Sequence, residues 1–267
     1  MTYIIKRFRN LYNNRKLFLN LTFQDFKSKY FGSFLGTTWA FIQPTITIFV
    51  FWFVFQVGFR TQPISNVPFI LWLLAGIIPW FYVSETLSRA THAFVENGFL
   101  VSKVAFKIGM LPFVRVTSGL LIHIFFIVVL MAILLFYDFM PSIYWLQIFY
   151  FLICAITVTT TLSLIFSTLY VFFKDISYIV GVIIQLGFWV TPIFWSKTIM
   201  PEKFLVYIKL NPFYYVIEGY RLTFLEKKWF WENDIYLTLY FWSFTIFTGV
   251  IGVALYKKLR PHFADVI

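Results

Sequence analysis

Polar and apolar positions along this 267-residue chain alternate on a long scale. Stretches free of Asp, Glu, Lys and Arg cover residues 30–59, 61–84, 116–137, 139–173, 176–196 and 235–256. The shortest holds 21 residues, and about 20 helical residues cross ~30 Å of hydrocarbon. Within lipid the backbone must satisfy its own hydrogen bonds, which leaves helices or closed barrels. The runs lack the period-2 alternation of barrel strands. The pattern therefore predicts an all-α membrane protein with six transmembrane helices, at about 36–59, 69–92, 112–137, 146–172, 177–196 and 235–256.

Segment 204–225 is nearly apolar enough to make a seventh span, but it contains Lys209, Glu218 and Arg221, with Asn211-Pro212 near its middle. A charge at the bilayer centre costs at least ~2.5 kcal/mol on the insertion scale, and Asn-Pro favours a break. The expectation is two short re-entrant helices, about 201–209 and 213–225, in the outer loop between spans five and six.

Basic residues set the direction of threading. The N-terminal arm, the loop between spans two and three, Lys174 and the segment after span six together carry fifteen of the 22 Lys and Arg residues. The opposite side carries Arg60 and six in the long fifth loop, where five carboxylates accompany them. The fifteen-residue side reads as the cytoplasm, so both termini are expected there, in a multi-pass plasma-membrane protein. Composition agrees: 60% of residues are apolar and 12% charged, against about 25% charged in a soluble domain. The net charge of +11 is dispersed between apolar runs, as beside membrane interfaces, so nucleic acid is not an expected partner. The basic arm lacks the features of a cleavable signal peptide, and Cys154 lies within an apolar run as a small packing residue.

Four features are candidates for mechanism. On a 3.6-residue period, Leu19, Phe23, Phe26 and Tyr30 share an arc, with Asp25, Lys27 and Lys29 off it. This predicts an interfacial helix over 10–31 on the cytoplasmic surface, serving as an anchor or as a lever touching a partner through Phe23 and Phe26. The loop Glu96-Asn97-Gly98-Phe99-Leu100-Val101-Ser102-Lys103 reads as a solvated loop or a docking helix. Aromatics make up 24% of the chain; those of spans one and five serve as packing or as a lining on which sugar faces stack. Glu85 and Arg89, four apart with the acid first, have the spacing of a helical ion pair, as do Glu218 and Arg221 at three. Pro44 and Pro192 interrupt spans one and five.

No Gly-x-x-x-x-Gly-Lys-Ser/Thr phosphate loop and no Gly-x-Ser-x-Gly elbow occurs. His92, His123 and His262 lack metal-ligand spacing. No catalytic residue, metal site or cofactor is expected in this chain, and an energised function would draw on a partner. A membrane-embedded transferase would need a catalytic acid or base and an acidic metal cluster. A passive channel would run without ATP.

Several stretches resemble one family. Lys27-Ser28-Lys29-Tyr30-Phe31-Gly32-Ser33-Phe34-Leu35-Gly36-Thr37-Thr38-Trp39-Ala40-Phe41-Ile42-Gln43-Pro44 resembles the start of span one in ABC-2-type permeases that export polysaccharides. Gly76-Ile77-Ile78-Pro79-Trp80-Phe81 resembles their span-two motif. Phe172-Phe173-Lys174-Asp175-Ile176, then Gln185 and Phe188-Trp189-Val190-Thr191-Pro192-Ile193, resembles their passage from span four to five. Leu210-Asn211-Pro212-Phe213-Tyr214-Tyr215 resembles their outer-loop motif. Within the family, Phe51-Trp52-Phe53-Val54-Phe55-Gln56-Val57-Gly58, Tyr144-Trp145-Leu146-Gln147, Ile217-Glu218-Gly219-Tyr220-Arg221 and Leu239-Tyr240-Phe241-Trp242 are most similar to teichoic acid translocation permeases. O-antigen and capsule exporters share the general motifs, and drug or haem exporters belong to the same superfamily.

The resemblance implies a single ABC-2-type transmembrane domain over 1–267. It implies a second copy of the chain and two ABC ATPase subunits, which hold ATP and Mg2+, as partners. It implies an undecaprenyl-diphosphate-linked polymer as substrate, received from the inner leaflet near Lys27, Lys29 and Tyr30. Trp39, Phe41, Trp52, Phe188, Trp189, Phe194, Tyr214 and Tyr215 would border its path. Phe23, Phe26, Asn97, Phe99, Leu100 and Lys103 would couple to the ATPase.

Overall fold

The computed structural model describes residues 15–64, 66–98 and 108–266. It is helical, and the only β pairing among the described residues is an isolated bridge between Ile64 and Val67. We number nine principal helices: α1 Arg15–Ser28, α2 Trp39–Trp52, α3 Phe69–Thr91, α4 Leu111–Phe136, α5 Gln147–Phe172, α6 Ile176–Val190, α7 Glu202–Lys209, α8 Pro212–Arg221 and α9 Ile235–Leu259. Helix α2 is lengthened by a 3-10 turn before it and a π turn after it, giving a continuous run Gly36–Gly58.

Among the described residues, five helical runs are long and apolar enough to cross a membrane: Gly36–Gly58, Phe69–Thr91, Ile108–Phe136, Ile143–Phe172 and Ile235–Asp265. The fifth expected span, 177–196, carries a shorter apolar helix. Its helix α6 has 15 residues, about 22 Å at 1.5 Å per residue, and stops at Val190. Thr191 is extended, at φ −75° and ψ 135°. The cause is Pro192, whose ring disfavours helical backbone in the residue before it and which has no N–H to donate.

Helix α3 is the axis of the fold. It packs against α4, α5, α8, α6 and α2, while α9 lies on α5 and α1 lies on α4. Of its most apolar 18-residue window 78% is buried, against 6% for the run Gly36–Gly58. Small residues allow the close approaches. A Cβ on Gly219 of α8 would collide with the Phe151 ring of α5, and one on Gly187 of α6 would stand 2.7 Å from Trp80 of α3.

The two short helices fall close to their expected bounds and are pinned to the bundle. Asn211 caps α8, its Oδ1 accepting from Phe213 N at 3.0 Å, while its Nδ2 donates to Thr191 Oγ1 at 2.7 Å. Lys209 at the end of α7 pairs with Asp234, the N-cap of α9, at 2.9 Å. Tyr240 of α9 donates to the Leu210 carbonyl at 2.6 Å. A second, smaller core gathers Phe94, Ile108, Leu111, Val171 and Phe263 around the turn Ala93–Glu96. Phe263 reaches it because the chain curls back in a 3-10 segment, Arg260–Asp265, after α9.

Candidate functional site

The end of α1, the first half of α2, the second half of α3 and the middle of α6 enclose a cleft of about 520 Å³. Its walls change character along their length. Lys29, Glu85 and Arg89 make a charged end, Gln43, Thr47, Ser84 and Ser88 supply amides and hydroxyls, and Trp39, Tyr30 and Phe81 supply rings. Ala40, Pro44, Gly181 and Ile184 complete the lining. A larger hollow of about 840 Å³ lies on the exposed face of α9 around Val250 and Lys257. One helix makes all of its lining, and Lys257 and Lys258, side by side at one end, are its polar groups, so the smaller cleft is the candidate site.

Of the residues expected to receive a lipid diphosphate, Lys29 and Tyr30 line the cleft, and Lys27 is exposed outside it. The Lys29 ammonium bonds to Glu85 and stands 4.8 Å from the centre of the Tyr30 ring. Burial pushes the Tyr30 phenol up from its ordinary value, with Lys29 opposing the shift. The expected helical pair Glu85–Arg89 is corrected: both side chains reach across to α1 instead, Glu85 to Lys29 and Arg89 to Asp25. A contact between helices competes with a contact along one helix, and here the acid and base of α1 complement those of α3.

The expected path aromatics divide. Trp39 lines the cleft. Phe188 and Phe194 form a cluster with Phe51 and Phe55 of the α2 run, with Phe194 centred 4.9 Å from Phe51, 5.2 Å from Phe55 and 4.9 Å from Phe188. The aromatics of spans one and five therefore meet. Trp189 is 61% exposed. Phe41 packs on Phe125 of α4 at 4.5 Å, and Trp52 on its own neighbour Phe49 at 5.7 Å. Tyr214 and Tyr215 are buried within the chain instead of lying on its surface. The Tyr215 hydroxyl is shared with Tyr150 at 2.8 Å and Thr238 at 3.0 Å, and its ring stacks on Phe241.

Helix α1 is rotated from its expected setting. Phe26 and Tyr30 pack inward, but Leu19 and Phe23 are exposed, and the inward face runs through Thr22, Asp25 and Lys29. That face is turned by about a quarter-turn from the apolar arc, at 100° per residue. Asp25, expected off the buried side, is 8% exposed and takes Arg115 at 2.7 Å, Arg89 at 3.1 Å and the Ser118 hydroxyl. Arg115 also reaches Glu96. A sequence signal for Asp25 existed: it is the only carboxylate in the first 84 residues, set in a basic arm. Asn97 caps the preceding turn, donating to the Ala93 carbonyl at 2.9 Å. Phe99, Leu100 and Lys103 lie outside the described residues.

The pair Glu218–Arg221 forms as its spacing indicates, at 2.7 Å, and Lys197 joins Glu218 at 3.0 Å. Arg221 is fully buried; its Nη2 donates to the Ile193 carbonyl at 3.0 Å and its guanidinium lies 3.9 Å from the centre of the Trp72 ring. Burial alone would raise the Glu218 pKa, but Arg221 and Lys197 outweigh it and hold the carboxylate below its ordinary range. Burial lowers the Arg221 pKa, opposed by Glu218. Sequence reading also missed His123 of α4, buried with Nε2 2.6 Å from the Tyr220 hydroxyl and its ring against Tyr82.

Comparison with known proteins agrees with this architecture. The chain is 30% identical over 252 residues to an O-antigen export system permease protein RfbA of Klebsiella pneumoniae, covering 94% of this chain and 95% of that protein. It is 29% identical over 229 residues to the protein of the same name from Myxococcus xanthus, covering 84% and 86%. Over 230 residues it is 24% identical to the polysialic acid transport protein KpsM of Escherichia coli, covering 85% and 87%. The family model for ABC-2 type transporters matches residues 16–225, from α1 through α8. With helices long and apolar enough to cross a membrane and a match over most of its length, the chain belongs to the ABC-2 type transporter family.

Proposed function

We propose that this chain is the membrane subunit of an ATP-driven exporter of a lipid-linked surface polysaccharide. The cleft between α1, α2, α3 and α6 carries the reading. A charged end suits a diphosphate, and hydroxyls, amides and rings suit sugars and a lipid tail. Lys29 offers a cation to the diphosphate as a charge-assisted donor. Trp39 and the Phe51–Phe188–Phe194 cluster continue the aromatic surface along α2 and α6.

In this reading the chain threads six times, with α6 and the bent segment after it as the fifth passage. Both termini and α1 lie in the cytoplasm, and α7 and α8 dip into the outer leaflet. Two copies assemble with two ABC ATPase subunits, which bind ATP and Mg2+, in the plasma membrane. The exposed faces of α2 and α6 are left for lipid and the second copy. An O-antigen-like or capsular polymer is the favoured cargo, because the relatives bear those names. Teichoic acid is the narrower alternative within the same class.

The test is export itself. Cells lacking this chain are expected to hold lipid-linked polymer inside and to regain surface polymer when it is restored. Lys29→Ala is expected to reduce surface polymer about tenfold, the scale of losing one charge-assisted contact, with membrane levels unchanged. Purification without any ATPase, together with turnover of lipid-linked sugar by the purified chain, would reject the export reading.

A further inference from the structure

Arg115 stands in the first turns of α4, and its two terminal nitrogens serve different segments. Nη1 binds Asp25 Oδ1 of α1 at 2.7 Å, and Nη2 binds Glu96 Oε2 of the turn that follows α3. The other Asp25 oxygen accepts from Arg89 at 3.1 Å and from Ser118. One carboxylate and one guanidinium thus join α1, the end of α3, the turn Ala93–Glu96 and α4. The turn is itself fixed from behind, since Phe94 packs against Tyr256 at 5.8 Å and Phe263 at 5.1 Å. On the far side, Leu19 and Phe23 of α1 are exposed, and so is the Glu96 carboxylate, at 54%.

We propose that Arg115 is a positioning residue that couples α1 to the turn after α3, so that force applied by the ATPase to either segment moves both against the bundle. This rests on the export reading above. The planar fork is what the task requires: a guanidinium meets two carboxylates in fixed directions, whereas an ammonium offers a single nitrogen. Lys29–Glu85 extends the same line of charge to the cleft, so movement of α1 alters the charged end where the cargo enters.

The test uses the intact complex of this chain with its ATPase. Glu96→Gln removes one arm at an exposed position with no core to disturb, and Arg115→Lys keeps the charge but not the fork. Both variants are expected to assemble and to hydrolyse ATP within about twofold of wild type, while surface polymer in cells falls about tenfold, within the range of measured coupling energies. Amide exchange in 15–28 and 93–96 is expected to rise in both variants, with α3 unaffected. Wild-type export by both variants, or full rescue by Arg115→Lys, would overturn the coupling role. So would an equal fall in ATP hydrolysis and export, which marks a merely structural contact. If the wild-type chain with its ATPase restores no export to deficient cells, the export reading itself falls and takes the coupling role with it.

Discussion

Two ionic clusters contact opposite halves of α3, and they are built differently. At the α8 end, Arg221 is sealed against Gly76 and Trp72 and neutralised by Glu218 one helical turn away. At the α1 end, about 20 Å along α3 at 1.5 Å per residue, Asp25 gathers Arg89 and Arg115 from separate helices and stays at the margin of solvent. The first is local, dry and hydrogen-bonded on most sides. The second is distributed over separate segments, with side chains 8–18% exposed at its centre and Glu96 54% exposed at its edge. A buried pair is expensive to break because one charge remains unpaired in low dielectric. The outer arm of the second cluster, Arg115–Glu96, can exchange its partner for water at small cost. The α8 cluster is therefore a keystone, and the α1 cluster is built to shift.

Breaking the keystone gives the largest effect. Arg221→Met leaves the buried Glu218 with the 32%-exposed Lys197 for its ion pair and is expected to cost about 3 kcal/mol, read as a large fall in thermal stability in detergent. The double variant Glu218→Gln/Arg221→Met should recover much of that loss, because the buried charges are gone and Lys197, 32% exposed, can turn to water. Next comes packing at the same end. Gly219→Ala sets a methyl against Phe151 and should cost about 1–3 kcal/mol by overpacking, measured the same way. At the α1 end, Asp25→Asn removes a charge-assisted anchor worth about 1.5–3 kcal/mol. The loss should be confined to α1, as faster amide exchange in 15–28, with little change in global melting. If Asp25→Asn lowered global stability as much as Arg221→Met, the contrast between the two ends would fail.

The smallest effect is on pH dependence. The Glu218 pKa is depressed in the folded chain from an ordinary value of 4.5. Its contribution to stability is thus fully present above that value and is lost as pH falls through the lower folded value. Melting temperature followed downward from pH 5 should decline, and Glu218→Gln should lose that part of the decline.

Legibility in the sequence followed the range of the interactions. Glu218–Arg221 could be read because three residues bring two side chains to one helical face. Glu85–Arg89 had spacing as good, yet failed because α1 offered each a partner from across the fold. Leu19, Phe23, Phe26 and Tyr30 marked α1 as amphipathic, but not which part of its surface faces inward. That was decided by Asp25 and Lys29 finding charges on α3 and α4. Tyr214 and Tyr215 lay in a recognisable motif, and only packing showed that both are buried, Tyr215 against α5 and α9.

By itself the sequence determined that hydrocarbon is the solvent of this chain, where its helices run and where Asn211-Pro212 breaks them. These are consequences of length, polarity and backbone chemistry, which act locally. The tertiary structure alone decided that α3 is the buried axis and that Asp25 and Arg115 join segments distant in the chain. Those outcomes depend on which surfaces meet, and a partner 90 residues away leaves no periodic mark.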